Sequence, residues 1–372
     1  MRDKIFEEET GLDVEDPNER KIQDFKLYTH PMDINIETIT IQIKDGLIHV
    51  RPINAKPRFQ RKYVWPDKTA SQLIESLLLN VPIPPIYLAE DEEAEHDVID
   101  GQQRIYTLYR FFDNQFKLSG LKILTELNGR KFFEMDSKLQ KKLRKKTLRC
   151  IVISNDSDPD LKFEVFERLN SNTVPLNAQE LRNCVYRGPF NYLLHDLSEY
   201  KPWLKILGRR EPDKRLRDEE MILRYFSFQI LGVDRYFTPQ KFWLNKAAET
   251  GSKITDNQAN ILAQRWVDTI DKCQAVFEPN ECFRRSPNPI KKTAVNKAIM
   301  DLVLYSFSDT PVDLLRARRD NIRAALYGLL NDQTVVFNDD DFSGLVSRSV
   351  DHVRRVNKRF EIWQREFSQA IS

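Results

Sequence analysis

The strongest constraint on how this chain can fold is a change of texture near residue 175. Before it, short β-rich runs at 38–43, 47–51, 86–89, 98–100 and 148–154 alternate with helical patterns. After it, strand signals almost vanish, and helical periodicity runs through 177–187, 216–231, 255–277, 290–307, 312–330 and 342–367. Loops around Pro202, Pro212, Pro239 and Pro279 separate these later patterns. The expected architecture is α/β (α+β): an acidic, mobile N-terminal tail over 1–34, a small mixed-sheet domain over 35–174, and a mostly α-helical domain over 175–372.

Composition narrows the class of protein. A chain of 372 residues with 41% hydrophobic content can bury a sizeable core, and its net charge of +2 excludes a uniformly basic nucleic-acid coat while permitting local basic patches. Cys150, Cys184, Cys273 and Cys282 form no CxxC pair, so neither a zinc site nor a disulfide framework is indicated. The first residues are acidic and lack the apolar stretch of a secretion signal, and no later run is long enough to cross a membrane. A cytoplasmic protein without a membrane partner is expected.

The chemistry concentrates in three clusters. In HDVIDGQQRIYTLYRFF, residues 96–112, Val98 and Ile99 read as strand, Asp100 and Gly101 as the break, and Ile105, Leu108, Tyr109 and Phe112 as the face of a helix. Gln102, Gln103 and Arg104 therefore open that helix, where backbone N–H groups and the helix dipole favour an anion such as phosphate. Asp100, at the strand end, is placed to hold a divalent metal or a hydroxyl. The same residues also read as a plain capped turn with Asp100 as the N-cap.

The second cluster, RFQRKYVW over 58–65, interleaves Arg58, Gln60, Arg61 and Lys62 with Phe59, Tyr63 and Trp65, a composition suited to clamping phosphate and stacking on a base, and equally to Phe59, Tyr63 and Trp65 filling the core while the cations are solvated. It leads into a helix from Asp67 whose Ala70, Leu73, Ile74, Leu77 and Leu78 face the core. The third, FEVFERLNSNTVPLNAQELRN over 163–183, gathers Arg168, Asn170, Asn172, Arg182 and Asn183 at a helix-loop-helix junction suited to a nucleotide or DNA phosphates, with Asn177 and Glu180 spaced as a capping box. Caps account for the asparagines equally well.

Basic patches occur at 138–149, around 209–217, and in the last helix at Arg348, Arg354, Arg355, Lys358 and Arg359, each of which also reads as a solvated helix face. None of the five histidines lies in an HExxH or HNH-like arrangement, and no GxxxxGK[ST] loop is present. A direct nuclease would have to act through acids such as Asp100, Glu164 or Glu167, which show no recognisable metal-ligand pattern.

Taken in order, RFQRKYVW, LIESLLLNVPIPPIYLAE, DGQQR with IYTLYRFF, and FERLNSNTVPLNAQELRN resemble the GmrSD-type restriction family, and more narrowly its GmrS-like N-terminal domain. The later segments RDEEMILRYF and VNKAIMDLVL are also similar to that family's helical continuation. The resemblance implies a ParB/sulfiredoxin-like fold and binding, with hydrolysis, of a nucleoside triphosphate with Mg²⁺. It implies catalytic roles for Asp100, Gln103 and Arg104, Asp100 also holding the metal. Gln60, Arg61, Tyr63, Gly101, Gln102, Arg168 and Asn170 would line the nucleotide cleft, and Arg58, Lys62, Trp65, Asn172 and Arg182 would meet DNA. It further implies a role in sensing DNA, modified DNA included, with cleavage supplied by a separate nuclease subunit because the HNH motif is missing. A DNA-binding module without turnover and a ParB-like nicking enzyme are the alternative readings, and self-association stays open.

Overall fold

The computed structural model describes residues 26–50, 63, 65–169, 176–186, 188–287, 294–331 and 341–372. It divides into two compact units, Ile22–Val185 and Tyr186–Ser372. The mixed sheet and the helical continuation expected from the sequence are both present.

The first unit carries strands β1 (Thr29–Asn35), β2 (Ile48–His49), β3 (Ile86–Glu90), β4 (His96–Asp100) and β5 (Thr147–Ile153), and helices α1 (Ile36–Lys44), α2 (Asp67–Leu78), α3 (Gln102–Phe112), α4 (Ser137–Arg144), α5 (Pro159–Leu169) and α6 (Ala178–Val185). The sheet order is β1-β5-β3-β4-β2. β5 runs antiparallel to β1 and parallel to β3; β4 runs antiparallel to β3 and parallel to β2.

Side-chain alternation divides the strands between two cores. Ile86, Leu88, Leu148, Cys150 and Val152 pack with residues of α1, α2, α3 and α4, while Ala89, Ile99 and Ile153 pack with Phe163, Phe166, Leu181 and Cys184 of α5 and α6. The sheet is thus covered on both faces. α6 was expected to open the helical domain, but Leu181 and Cys184 place it in the second core of the sheet unit.

Two stretches depart from the sequence reading. Residues 38–43, expected as a strand for their β-branched content, lie in α1. The Asn35 side chain caps it by accepting from the Thr38 N–H at 2.8 Å, and Ile36, Ile39 and Ile43 share one fully buried face. Burial at helical spacing overrides the β preference of isoleucine and threonine. Conversely, the end of the expected tail forms β1, an edge strand whose Pro31 stands opposite Ile151. An edge position tolerates proline because one side of the strand needs no donor, and that proline masks the strand signal.

The second unit contains α7 (Pro189–Ser198), α8 (Lys201–Leu207), α9 (Arg217–Leu231), α10 (Gln240–Ser252), α11 (Asp256–Val276), α12 (Lys297–Ser308), α13 (Val312–Ala317), α14 (Arg319–Asn331), α15 (Phe342–Leu345) and α16 (Val353–Ile371). Its core includes fully buried Trp203, Trp243, Trp266 and Trp363. Buried Asp301 accepts from Arg224 Nε at 2.8 Å and lies 3.5 Å from Arg359 Nη2. α8 and α10 stand where the sequence reading places loops, around Pro202 and Pro239, and α7, which opens on Pro189, falls outside the helical patterns read from sequence. Each proline stands at a helix start, where its fixed φ is favourable and its missing N–H has no intrahelical role.

Candidate functional site

The turn between β4 and α3 is built on Gly101, whose φ of 94° lies in the left-handed region. A Cβ there would stand 2.4 Å from Ile86 Cδ1, so the strand next door closes over the turn and leaves no room for a side chain. α3 then starts at Gln102 with no side chain capping it, which corrects the reading of Asp100 as N-cap. Asp100 Oδ2 instead accepts from Arg104 Nη2 at 2.7 Å.

Arg104 is held on three sides. Its Nη1 donates to the carbonyl of Pro84 and, at 3.3 Å, to that of Pro85, the residues leading into β3. The guanidinium side chain is 11% exposed and Asp100 is 29% exposed. Burial pulls the Arg104 pKa below the ordinary arginine value, and the adjacent Asp100 carboxylate opposes that shift. The fork geometry of arginine thus ties the end of β4, the start of α3 and the entry to β3 into one rigid corner. Gln102 and Gln103 are half-buried at the helix start, where the dipole and backbone donors favour an anion.

Tyr63 reaches this corner from the preceding loop. The Thr107 hydroxyl donates to the Gln103 carbonyl at 2.8 Å, so the Tyr63 hydroxyl, 2.9 Å away, donates to Thr107. The Tyr63 ring packs 4.9 Å from Tyr106, which stacks on Tyr109 at 6.5 Å, and Arg110 lies over the Tyr63 ring at 4.6 Å. Trp65 packs against the main core. Sequence reading missed Tyr106 and Arg110 as partners of Tyr63; their i, i+4 spacing on α3 was the available signal.

Other expected site residues are placed differently. Arg168 is exposed at the end of α5. Arg182 is 1% exposed, lies 5.6 Å from the Phe163 ring and donates to Gln179 Oε1, so it is an interior residue and does not offer its charge to DNA at the surface. Buried Asn183 accepts from Gln179 Nε2. Asn177 and Glu180 form the reciprocal capping box expected of them. Arg58, Gln60, Arg61, Lys62, Asn170 and Asn172 lie outside the described residues.

Among the described residues, one trio has ligand atoms close enough to share a metal: His49, Asp91 and Glu95. It includes none of Asp100, Glu164 and Glu167. His49 Nε2 is 2.6 Å from Glu95 Oε2, a contact that ties β2 to the turn before β4, while Asp91 Oδ1 accepts the Glu93 and Glu95 N–H groups. A metal on Nε2 would put the ring proton on Nδ1, a buried atom with no acceptor. A hydrogen bond from the His49 Nε2–H to Glu95 puts no proton on Nδ1 and accounts for the contact better. A separate cavity of about 730 Å³, lined by residues of α7, α8 and α11, contains none of the sequence-predicted site residues.

Residues 37–187 match the family model described as GmrSD restriction endonuclease, N-terminal domain. The match takes in α1 through α6 and every strand except β1, the Gly101 turn included. Comparison with curated proteins and with solved structures gives no match.

Proposed function

From the premise that residues 37–187 form a GmrSD-type restriction-family N-terminal domain, we propose that this chain is the nucleoside-triphosphate-binding recognition component of a DNA restriction or anti-phage system. The observation that carries this reading is the Gly101 corner: a left-handed glycine pressed against Ile86, opening an uncapped eleven-residue helix and locked by the Asp100–Arg104 pair. Such a corner presents backbone N–H groups and a helix dipole to a phosphate chain without the cost of ordering a loop at the moment of binding.

In this reading Gly101, Gln102 and Gln103 receive the phosphates and Gln103 orients the attacking water, while Arg104 keeps the corner in shape. Gln60, Arg61, Tyr63, Arg168 and Asn170 line the nucleotide cleft, and Arg58, Lys62 and Asn172 face DNA, with Trp65 anchored in the core beside them. Asp100 would hold Mg²⁺ together with the nucleotide, a donor set of one carboxylate plus phosphate oxygens that suits this ion. The metal would supply neutralisation of charge on the phosphates. Nucleotide occupancy then governs engagement of DNA, modified DNA included, and of a separate nuclease subunit in the cytoplasm. Among the described residues no helix is long and apolar enough to cross a membrane.

The test is direct: binding of each nucleoside triphosphate with Mg²⁺, and phosphate release, measured with and without modified and unmodified duplexes. One nucleotide is expected to bind and be turned over, with Gln103→Ala keeping binding and slowing release. Absence of nucleotide binding under every condition would overturn the proposal; duplex binding that ignores the nucleotide would reduce the chain to a passive DNA binder.

A further inference from the structure

The stretch 117–146, between α3 and β5, contains ten lysines and arginines against three carboxylates, in a chain whose net charge is only +2. Within it, Lys117, Lys122, Arg130, Lys138, Lys141 and Lys145 are exposed, and among the described residues none of the six forms a close ion pair, although the charge of Lys122 acts on the Glu75 carboxylate. The other two basic stretches are different. Arg209 and Arg217 both face Asp213, Arg359 is buried against Asp301, and Arg355 donates to the carbonyls of Gly344 and Arg348. Part of their charge is thus answered from within.

This basic lobe is also pre-ordered. Glu75 of α2 sends its carboxylate into it and accepts the N–H groups of Lys122, Ile123 and Leu124 at 3.1, 2.8 and 2.9 Å. Leu118 and residues 129–130 exchange backbone hydrogen bonds, Asn114 accepts the Phe133 N–H, and Gln140 donates to the Met135 carbonyl. A rigid array of cations loses less conformational entropy on binding a polyanion than a lysine-rich tail does.

We propose that residues 117–146 form a surface that grips the phosphate backbone of duplex DNA, an inference that rests on the reading that this chain acts on DNA. Lys138, Lys141 and Lys145 recur at i, i+3 and i+7 along α4 and span about 10 Å, a length of B-DNA that carries about six phosphate charges. Two apolar side chains, Ile123 at 67% and Phe133 at 62% exposure, stand among these cations. Two isolated apolar residues suit contact with sugars and a groove wall, whereas a membrane-binding element carries a continuous apolar face.

The experiment compares the full chain with its Lys138→Gln/Lys141→Gln/Lys145→Gln variant on a short duplex over a range of salt concentrations, alongside nucleotide binding and thermal unfolding. The variant is expected to unfold and bind nucleotide as the wild type does, to lose at least about tenfold in duplex affinity at 0.1 M salt, and to show a salt slope shallower by about 3. If the wild type binds no duplex, the DNA reading itself falls. If it binds and the variant matches it in affinity and slope, DNA is held elsewhere and this lobe is a solvated face. Tighter binding to phosphatidylserine vesicles than to duplex, lost in Phe133→Ser/Ile123→Ser, would make the lobe a membrane surface and overturn the assignment.

Discussion

Arg104 Nη2 sits 2.7 Å from Asp100 Oδ2, one helical turn away, while its other nitrogen reaches the carbonyls before β3. The pair acts as a brace behind the glycine corner. Arg104→Ala would strand a largely buried carboxylate and two carbonyls, and is expected to cost about 2–3 kcal/mol. Arg104→Lys should recover only part of that, because an ammonium is a point donor and cannot fork across both partners. Urea unfolding of the full chain measures both. Nucleotide affinity should fall in step with stability across the two variants; an Arg104→Ala protein as stable as wild type would show that the corner stands without its brace.

Gly101 faces two separate penalties on gaining a side chain. Its φ of 94° costs about 1 kcal/mol for an L residue, and the new Cβ meets Ile86 Cδ1. Gly101→Ala should therefore destabilise by about 2–3 kcal/mol. Ile86→Val removes the offending Cδ1 at a cost of its own of about 1 kcal/mol. The double variant should be more stable than the sum of the singles predicts, by about 1 kcal/mol in a double-mutant cycle. Strict additivity would assign the whole effect to backbone strain.

The corner was legible because strand, glycine and helical stripe follow one another within a dozen residues, and each element has a local signature. The capping box at Asn177 and the apolar face of α2 were legible for the same reason. What the sequence hid depends on contacts far along the chain. The brace that Arg104 makes is invisible until Pro84 and Pro85 are folded against it, and Arg182 reads as a DNA contact until Phe163 covers it. α1 reads as a strand because β-branched residues are ambiguous until their burial at helical spacing is seen. Glu75 passes as one polar residue on α2, yet its partners lie some fifty residues away.

Glu75 yields a pH prediction with a definite sign. Burial by itself would raise its pKa, but three backbone N–H donors and Lys122 outweigh burial and hold it below the ordinary glutamate value. A carboxylate whose folded pKa is depressed stabilises the fold fully above its unfolded pKa and loses that contribution as pH falls through the folded value. Glu75→Gln should cost about 2 kcal/mol near neutrality, and the gap from wild type should close on acidification below about pH 4. Faster amide exchange at Lys122, Ile123 and Leu124 in the variant would accompany it. A gap independent of pH would mean that shape alone, not charge, organises the lobe.

Asp218, at the start of α9, makes the opposite prediction for the helical unit. It is fully buried, and burial pushes its pKa up to about 6 although it accepts the N–H groups of Asp213 at 2.7 Å and Glu219 at 3.0 Å. Between its unfolded value near 4 and about 6 the folded chain binds a proton that the unfolded chain has released, so stability must decline as pH rises through that window, by about 1.4 kcal/mol per unit and about 3 kcal/mol in all. His195, 3.0 Å from Glu219, works in the same direction. Burial lowers its pKa, but the Glu219 contact together with the nearby charges of Glu199 and Asp196 raises it by more, and its stabilisation is therefore lost as pH rises through the raised value. Asp218→Asn removes the first of these two responses and leaves the second. Urea midpoints at pH 4.5, 6 and 8 should show the variant gaining on wild type between the first two values and holding a constant difference from it between the last two. A constant difference across all three would show that Asp218 stays ionised in the folded chain, its two N–H donors having outweighed burial.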